Sequence, residues 1–295
     1  MADPSAGEHP PGPVRAAPSP HATTRDGREL HDERHGEGTP VVVLEAGMGF
    51  SRNSWGAVIP AVAERTTTVA YDRSGLGRSA PDAGRRDLTR LSGDLVDLLD
   101  HLGVGPFVLV GHSWGGPIVR AAAALVPDRI AGLVLVDQTD EGCDLFFTRS
   151  QSVQVWLGAK LLPAMARAGM LRRVVDKQAH QLPEPWAGGL RAEDGTVASV
   201  AEQLAELQWS TDGLRQLRDH PPALPDVPLT VISGTRSSPL GRRRRAALIA
   251  AHRAQAAAAP QGRHVTADRS AHHVPLTEPD LVAAEILRIV EVAGT

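Results

Sequence analysis

The most constraining feature of the sequence is the pentapeptide GHSWG at residues 111–115, because a strand-like pattern meets a helix-like pattern there. A short apolar run at residues 106–110 precedes it, and an Ala-rich stretch typical of a helix follows at residues 117–126. A chain that passes from strand to helix through G-x-S-x-G must turn sharply, and the strain of that turn exposes the serine. The glycines permit an approach of strand and helix that any side chain would block. We therefore predict Ser113 at a strand-to-helix corner, with the helix N-terminus directed at it.

Short apolar runs alternate with helical stretches on both sides of this corner. Buried strands are predicted at residues 41–45, 67–71, 106–110, 130–136, 229–233 and 264–267. Helices are predicted at residues 55–64, 88–102, 117–126, 244–258 and 280–292. Near the start, Asp26-Gly27 is a hairpin turn signal between two short polar strands. Alternation of this kind is typical of an α/β fold, with a mostly parallel sheet flanked by helices.

The chain divides by composition into a tail, a core and an insertion. Residues 1–20 are rich in Pro, Gly and Ala without periodicity, which predicts a disordered tail. Residues 21–139 and 223–295 carry the alternation of the core. Residues 140–222 lack β-branched runs and indicate several helices, which we expect to form a lid (cap) over the strand ends. We expect an apolar roof over a pocket from large side chains of this lid, namely Trp156, Trp186, Trp209, Met165 and Met170.

Composition and charge argue against several classes of function. The net charge is −3 and 42% of the residues are hydrophobic, which favours neither disorder nor nucleic-acid binding. No apolar run approaches the ~18 residues of a membrane span, and no secretory signal is visible, so we expect a soluble, cytoplasmic protein. The four arginines at residues 242–245 begin an Ala-rich helix and are interpreted as a solvated helix start. CxxC, HExxH and P-loop patterns are absent, so neither a metal nor another cofactor is expected.

A serine presented at such a corner is a candidate nucleophile, and it needs a base that accepts its proton. Two neighbouring histidines, His272 and His273, follow the last predicted strand and precede the last predicted helix. From that loop a side chain can reach across the carboxyl edge of the sheet to Ser113. Both histidines are candidates on these grounds.

The base in turn needs a carboxylate that orients it. Asp137 directly follows the strand at residues 130–136, which places it at the carboxyl edge, one strand beyond Ser113. The loop at residues 234–239, after the next strand, contains no carboxylate. Asp137 is therefore the first candidate for the acid, and Asp140 is the second.

The oxyanion that forms when a serine attacks a carbonyl needs backbone N–H donors. One donor is expected from Trp114, the residue after the serine, and one from the loop after the first parallel strand. That loop contains Met48 between Gly47 and Gly49, and these glycines let the Met48 N–H approach a substrate oxygen. Met48 and Trp114 therefore form the predicted oxyanion hole.

Four stretches of the sequence together resemble the α/β-hydrolase fold family, in the branch of serine esterases and lactonases with a helical lid. They are LEAGMG at residues 44–49, YDRSGLGRS at 71–79, GHSWGG at 111–116, and SAH at 270–272 followed by Pro279. The resemblance covers about residues 22–295. In the family the catalytic histidine precedes a proline by seven residues, which implies His272 rather than His273. Some relatives carry the acid after the strand that follows the nucleophile, as Asp137 does here.

The resemblance implies a serine hydrolase that cleaves an ester or lactone bond of a small, largely apolar molecule through an acyl-enzyme. An amide or peptide bond hydrolase of aminopeptidase type is the alternative among enzymes. It would need a lid carboxylate to bind a free amine, and Glu202, Glu206 and Asp212 are available. A non-catalytic small-molecule binder would be marked by a missing serine or histidine, and both are present.

Overall fold

The computed structural model describes residues 21–294, in which eight strands form one sheet with helices on both faces. The tail predicted for residues 1–20 lies outside the described residues. The strands are β1 (His21–Thr23), β2 (Glu29–His35), β3 (Val41–Glu45), β4 (Thr68–Tyr71), β5 (Phe107–His112), β6 (Ile130–Val136), β7 (Leu229–Gly234) and β8 (Gly262–Ala267). β1 and β2 form the hairpin predicted around Asp26-Gly27.

The helices occupy both the core and the insertion. They are α1 (Ile59–Ala63), α2 (Leu88–Leu102), α3 (Gly115–Leu125), α4 (Arg149–Arg167), α5 (Met170–Ala179), α6 (Trp186–Glu193), α7 (Val197–Asp219), α8 (Arg242–Ala258), α9 (Val274–Thr277) and α10 (Pro279–Ala293). α2 has its predicted bounds. Asp87 caps its N-terminus, because the Asp87 side chain accepts a hydrogen bond from the Arg90 N–H. α1 is shorter than predicted because a separate 3-10 turn occupies Arg52–Trp55. Of the helices described, none is both long and apolar enough to cross a membrane.

The strand order explains where a binding crevice can form. The order is β1-β2-β4-β3-β5-β6-β7-β8, with antiparallel pairs only at β1–β2 and β2–β4 within the described sheet. The chain leaves β3 for β4 on one side and then crosses to β5 on the other side. At such a switch point the loops after the two strands diverge and leave a crevice at their carboxyl ends. The predicted, mostly parallel α/β sheet is confirmed, and the Ser113 turn follows β5 at this crevice.

β5 is apolar throughout its first four residues because both faces of the sheet are covered. Phe107 and Leu109 pack with side chains of α2 and α3 on one face. Val108 and Val110 pack with side chains of α1 and α10 on the other. Burial on both faces is what a central parallel strand requires. The turn that follows β5 is therefore built on a rigid, fully packed element.

The insertion contains α4 to α7, which connect β6 to β7. These helices reach the loop after β3, where the Asp194 carboxyl accepts from the Ser51 N–H at 3.1 Å. In the same loop, Gly49 packs closely against Gln203 of α7. The division of the chain into core and lid stays a prediction, but these contacts bring the insertion to the crevice.

Candidate active site

Ser113 lies at the sharp turn between β5 and α3. Its φ angle is +54°, a left-handed conformation that strains a residue with a side chain. The Ser113 N–H donates to the Val136 carbonyl at 3.1 Å, and the Thr139 N–H donates to the Ser113 carbonyl at 2.9 Å. A Cβ at Gly111 would lie 2.5 Å from the Gly115 carbonyl oxygen, so only glycine fits there. The turn therefore has the geometry that the G-x-S-x-G pattern predicts.

The structure brings His272 and Asp137 to Ser113 in one chain of hydrogen bonds. His272 Nε2 lies 3.0 Å from Ser113 Oγ, and His272 Nδ1 lies 2.7 Å from Asp137 Oδ2. A proton on Nδ1, facing the carboxylate, leaves Nε2 free to accept the serine proton. The neighbouring His273 points away, with its Nε2 3.3 Å from the Gln178 side chain, and burial lowers its pKa to about 4.

Asp137 is fully buried, and its carboxylate has two partners besides His272. The Gly234 N–H donates to Oδ1 at 2.9 Å, and Arg245 Nη1 donates to the same oxygen at 2.6 Å. Burial opposes ionisation of this carboxyl, but the hydrogen bond with His272 and the charge of Arg245 outweigh it and hold the pKa at about 2. Asp137 is therefore ionised at neutral pH and held in one orientation.

Asp140, the second candidate for the acid, lies apart from this chain of hydrogen bonds. Its Oδ1 accepts from the Gly142 N–H at 2.8 Å, and its Oδ2 accepts from the Gln138 side chain at 3.0 Å. It lines a separate cavity of about 750 Å³ whose described lining residues include neither Ser113 nor His272. Of the two carboxylates, Asp137 is the one that bonds to His272.

The interpretation of residues 242–245 as a solvated helix start is wrong for Arg245, which is turned inward. α8 begins with these four arginines, and three of them are exposed as predicted. The Arg245 side chain is only 13% exposed and pairs with Asp137. Cations at a helix N-terminus are unfavourable, and this ion pair offsets that cost for one of the four. The sequence pattern could not reveal the pair because its partners lie 108 residues apart.

Met48 and Trp114, the predicted oxyanion donors, both line a cavity that also contains Ser113. Within residues 21–294 neither main-chain N–H donates to a protein acceptor. Trp114 immediately precedes α3, so its N–H belongs to the unsatisfied first turn of that helix. Unpaired donors beside a serine are what an oxyanion hole requires. Their role stays a prediction.

A buried ion cluster, not predicted from the sequence, fixes the loop that carries Met48. Arg73 donates to the carbonyls of Ala46 and Gly47 at 2.7 and 2.8 Å, and it also pairs with Glu45. Two further bonds of 2.9 and 3.0 Å join Arg73 to Glu206 of α7. Burial opposes ionisation of Glu206, but the charges around it outweigh burial and lower its pKa. The cluster therefore connects the insertion to the backbone of the predicted donor.

His112, inside the turn, supports the loop that carries His272. Its Nε2 lies 2.9 Å from the His272 carbonyl oxygen and donates to it. Burial lowers the pKa of His112 to about 3, so its ring is neutral at neutral pH. The turn that exposes Ser113 thus also anchors the backbone of its partner histidine.

Residues 39–230, from just before β3 into β7, match the family model of the alpha/beta hydrolase fold. The chain belongs to the alpha/beta hydrolase family. The matched segment includes the Ser113 turn, Asp137 and the whole insertion, and His272 follows it. The resemblance noted in the sequence is confirmed for the family and for its fold.

The curated relatives of this hydrolase differ in their named reactions. The chain is 38% identical over 109 residues to RutD of Azorhizobium caulinodans, a protein named as a proposed carbamate hydrolase, covering 37% of this chain and 41% of that protein. It is 40% identical over 121 residues to epoxide hydrolase A of Mycobacterium tuberculosis, covering 40% of this chain and 38% of that protein. The match thus spans about two fifths of the length of each relative.

Among solved structures, the enol-lactonase from Burkholderia xenovorans LB400 resembles this hydrolase over nearly its whole length. The two chains superpose with a TM-score of 0.68 and share 22% identity, covering 92% of this chain and 100% of that one. At this identity the likeness concerns the fold.

Two cavities of the hydrolase flank Ser113. One has a volume of about 480 Å³ and extends toward α8. The other has a volume of about 360 Å³ and is lined by His273 and Asp194, among others. Ser113, His272 and Met48 line both cavities, so the candidate nucleophile faces space on two sides.

The apolar side chains that line the larger cavity are not the ones predicted from the sequence. Its described lining residues include none of the three lid tryptophans or two methionines expected there. Trp156 is largely exposed, and Trp209 packs under the Arg85 guanidinium, 3.6 Å from its ring centroid. Phe146, Val155, Leu207 and Leu214 line the cavity instead. Large aromatic residues of an amphipathic insertion can lie at its outer surface or at the cavity wall. Sequence periodicity alone does not distinguish these two positions.

Asp194 is a buried carboxyl at the smaller cavity, and it accepts a hydrogen bond from the Ser51 N–H. Burial raises the pKa of Asp194 from 3.8 to about 8. Between those two values the folded protein binds a proton that the unfolded chain has released. The free energy of unfolding therefore contains a contribution that falls as the pH rises through this window.

Replacing Asp194 by asparagine is expected to remove this pH-dependent part of the free energy of unfolding. The amide keeps an acceptor for the Ser51 N–H and cannot ionise. The melting temperature of Asp194→Asn should match that of the wild type near pH 4 and exceed it by about 5 °C at pH 8. Thermal unfolding of both proteins across this range provides the measurement. A difference that stays constant with pH would contradict the assignment of a neutral Asp194.

Proposed function

We propose that this alpha/beta hydrolase is a serine hydrolase that cleaves an ester or lactone of a small, largely apolar molecule. His272 removes the proton from Ser113, and Oγ attacks the carbonyl carbon while the Met48 and Trp114 N–H groups bind the oxyanion. The bond from carbon to the leaving oxygen then breaks, and His272 gives its proton to that oxygen. Water, deprotonated by His272, attacks the acyl-enzyme and regenerates Ser113.

The observation that carries this proposal is the hydrogen-bonded series from Ser113 Oγ through His272 to the ionised Asp137. The serine needs a base to become a nucleophile, and the base needs a carboxylate that fixes its tautomer. The strained backbone at Ser113 adds support, because such strain persists where the surrounding fold maintains it for function.

The identity of the nucleophile argues against epoxide opening, the reaction named for one relative. If Ser113 Oγ attacked an epoxide carbon, the product would be an ether without a carbonyl. Water could not then release it by the addition and elimination that hydrolyse an ester, so the enzyme would not turn over. Attack on an acyl carbon gives an ester, which the same site can hydrolyse.

The lid carboxylates argue against an aminopeptidase. Glu206 is fully buried and bonds to Arg73 and Arg86, so it is not available to a substrate amine. Glu202 pairs with Arg86 at 3.4 Å and lines neither cavity at Ser113. Asp212 is exposed and pairs with Arg215, outside both cavities at Ser113. Asp194 does line a cavity, but it already accepts from the Ser51 N–H, and burial raises its pKa to about 8, so most of it is protonated at neutral pH.

A substrate panel tests the proposal. We expect p-nitrophenyl esters or lactones to be hydrolysed, with a burst of p-nitrophenol equal to the enzyme concentration wherever deacylation is slower than acylation. Aminoacyl anilides and styrene oxide serve as the competing classes. Turnover of either competing class without turnover of any ester or lactone would overturn the proposal.

A further inference from the structure

The charged side chains that line the larger cavity at Ser113 are all cationic. Among its described lining residues three are arginines, Arg236, Arg244 and Arg245, and none is an aspartate or glutamate. The remaining surface combines apolar side chains with a few neutral polar ones. A substrate entering this cavity therefore meets a positive field next to an apolar wall.

The three arginines differ in whether their charge is compensated. Arg245 pairs with Asp137 at 2.6 Å, so its charge is compensated within the protein. In the described part of the chain no ion pair joins Arg244 or Arg236 to a carboxylate, and the Arg236 guanidinium makes only a long 3.4 Å contact, from Nε to the Asp268 backbone carbonyl. Two guanidinium groups thus remain available to a ligand.

Arg244 is held on the cavity side. Its guanidinium lies over the Phe146 ring, 5.0 Å from the ring centroid, and Phe146 itself lines the cavity. Arg244 is also in the first turn of α8, where a cation is unfavourable and the helix N-terminus adds to the positive potential. The contact with Phe146 keeps this solvent-exposed guanidinium at the cavity wall, where its charge is left for an anionic ligand.

We propose, building on the hydrolase function proposed above, that Arg244 with Arg236 binds a free carboxylate of the substrate. The preferred substrate is then an ester or lactone whose acyl part carries a second, free carboxylate remote from the scissile carbonyl. A guanidinium can bind a carboxylate through two parallel hydrogen bonds, which also fixes the orientation of the chain between the two groups. The apolar wall accommodates that chain.

Two esters of equal length test this inference, p-nitrophenyl hydrogen glutarate and p-nitrophenyl valerate. The wild type is expected to prefer the glutarate monoester by about tenfold in kcat/KM, the order of one charge-assisted hydrogen bond. Arg244→Gln should reduce this ratio to near one. Arg242→Gln provides the matched control, since Arg242 lies in the same helical turn, lines neither cavity at Ser113, and should leave the ratio unchanged.

Calorimetry on the Ser113→Ala protein, with monomethyl glutarate and methyl valerate as ligands, separates this inference from the proposed reaction, because the two ligands differ only in the free carboxylate. Monomethyl glutarate should bind more tightly than methyl valerate, and adding Arg244→Gln should remove the difference. If neither p-nitrophenyl ester is hydrolysed but monomethyl glutarate binds in this way, the reaction is wrong and the carboxylate site stands. Equal binding of the two methyl esters, equal rates for the two p-nitrophenyl esters, or an equal loss of the ratio in the Arg242 control would overturn the carboxylate site.

Discussion

Replacing Ser113 by alanine is expected to lower kcat by at least about three orders of magnitude, because no other group at the turn can form the acyl-enzyme. The fold should be unaffected. In the described chain the Ser113 hydroxyl bonds to His272 alone, and alanine keeps the Cβ, so the strain at φ +54° does not change.

The measurement is steady-state hydrolysis of whichever ester the wild type turns over best, with thermal unfolding of both proteins as the control for folding. A melting temperature within about 1 °C of the wild type is expected for such a change. A variant that keeps a tenth or more of the wild-type kcat would show that Ser113 is not the nucleophile.

Replacing Asp137 by asparagine is expected to lower kcat by about three to four orders of magnitude, with a smaller effect on KM. Oδ1 accepts from Gly234 and Arg245, so the amide oxygen of asparagine remains at that position and its NH₂ faces His272 Nδ1. The imidazole must then accept at Nδ1 and carry its proton on Nε2. In that tautomer it cannot take the proton from Ser113.

Asp140→Asn is the matched control for this variant. Asp140 is buried at the same strand end but bonds to Gln138 and Gly142 rather than to His272. Its change should alter kcat by less than about threefold. A larger loss from Asp140→Asn than from Asp137→Asn would move the acid to the second candidate.

The parts of the site that the sequence could predict are those with a local signature. Ser113 follows from a glycine pattern between a strand and a helix, and Asp137 follows from the end of an apolar run. His272 and His273 are equivalent by position alone, and the family spacing to Pro279 favours the first. The structure places Ser113, Asp137 and His272 in contact, and their catalytic roles remain predictions until tested.

The parts that the sequence did not predict depend on contacts between distant residues. Arg245 belongs to a charge run, and only the packing of α8 against β7 and β8 brings it to Asp137. Glu206 is an ordinary helical carboxylate in the sequence, and its burial against Arg73 appears only once α7 lies over the β3 loop. Patterns along a single chain describe periodicity and turns, whereas these two residues are defined by which elements meet in space.

Covalent labelling with a p-nitrophenyl alkylphosphonate tests the central claim most directly, because the reagent reacts with a serine only where a base and an oxyanion site activate it. Intact-mass measurement of the wild type is expected to show one adduct per chain, and peptide mapping should place it on Ser113. Ser113→Ala and Asp137→Asn should remain unlabelled on the same time scale. An adduct on any other residue, or labelling of Ser113→Ala at the wild-type rate, would contradict the claim that Ser113 is the activated nucleophile of this hydrolase.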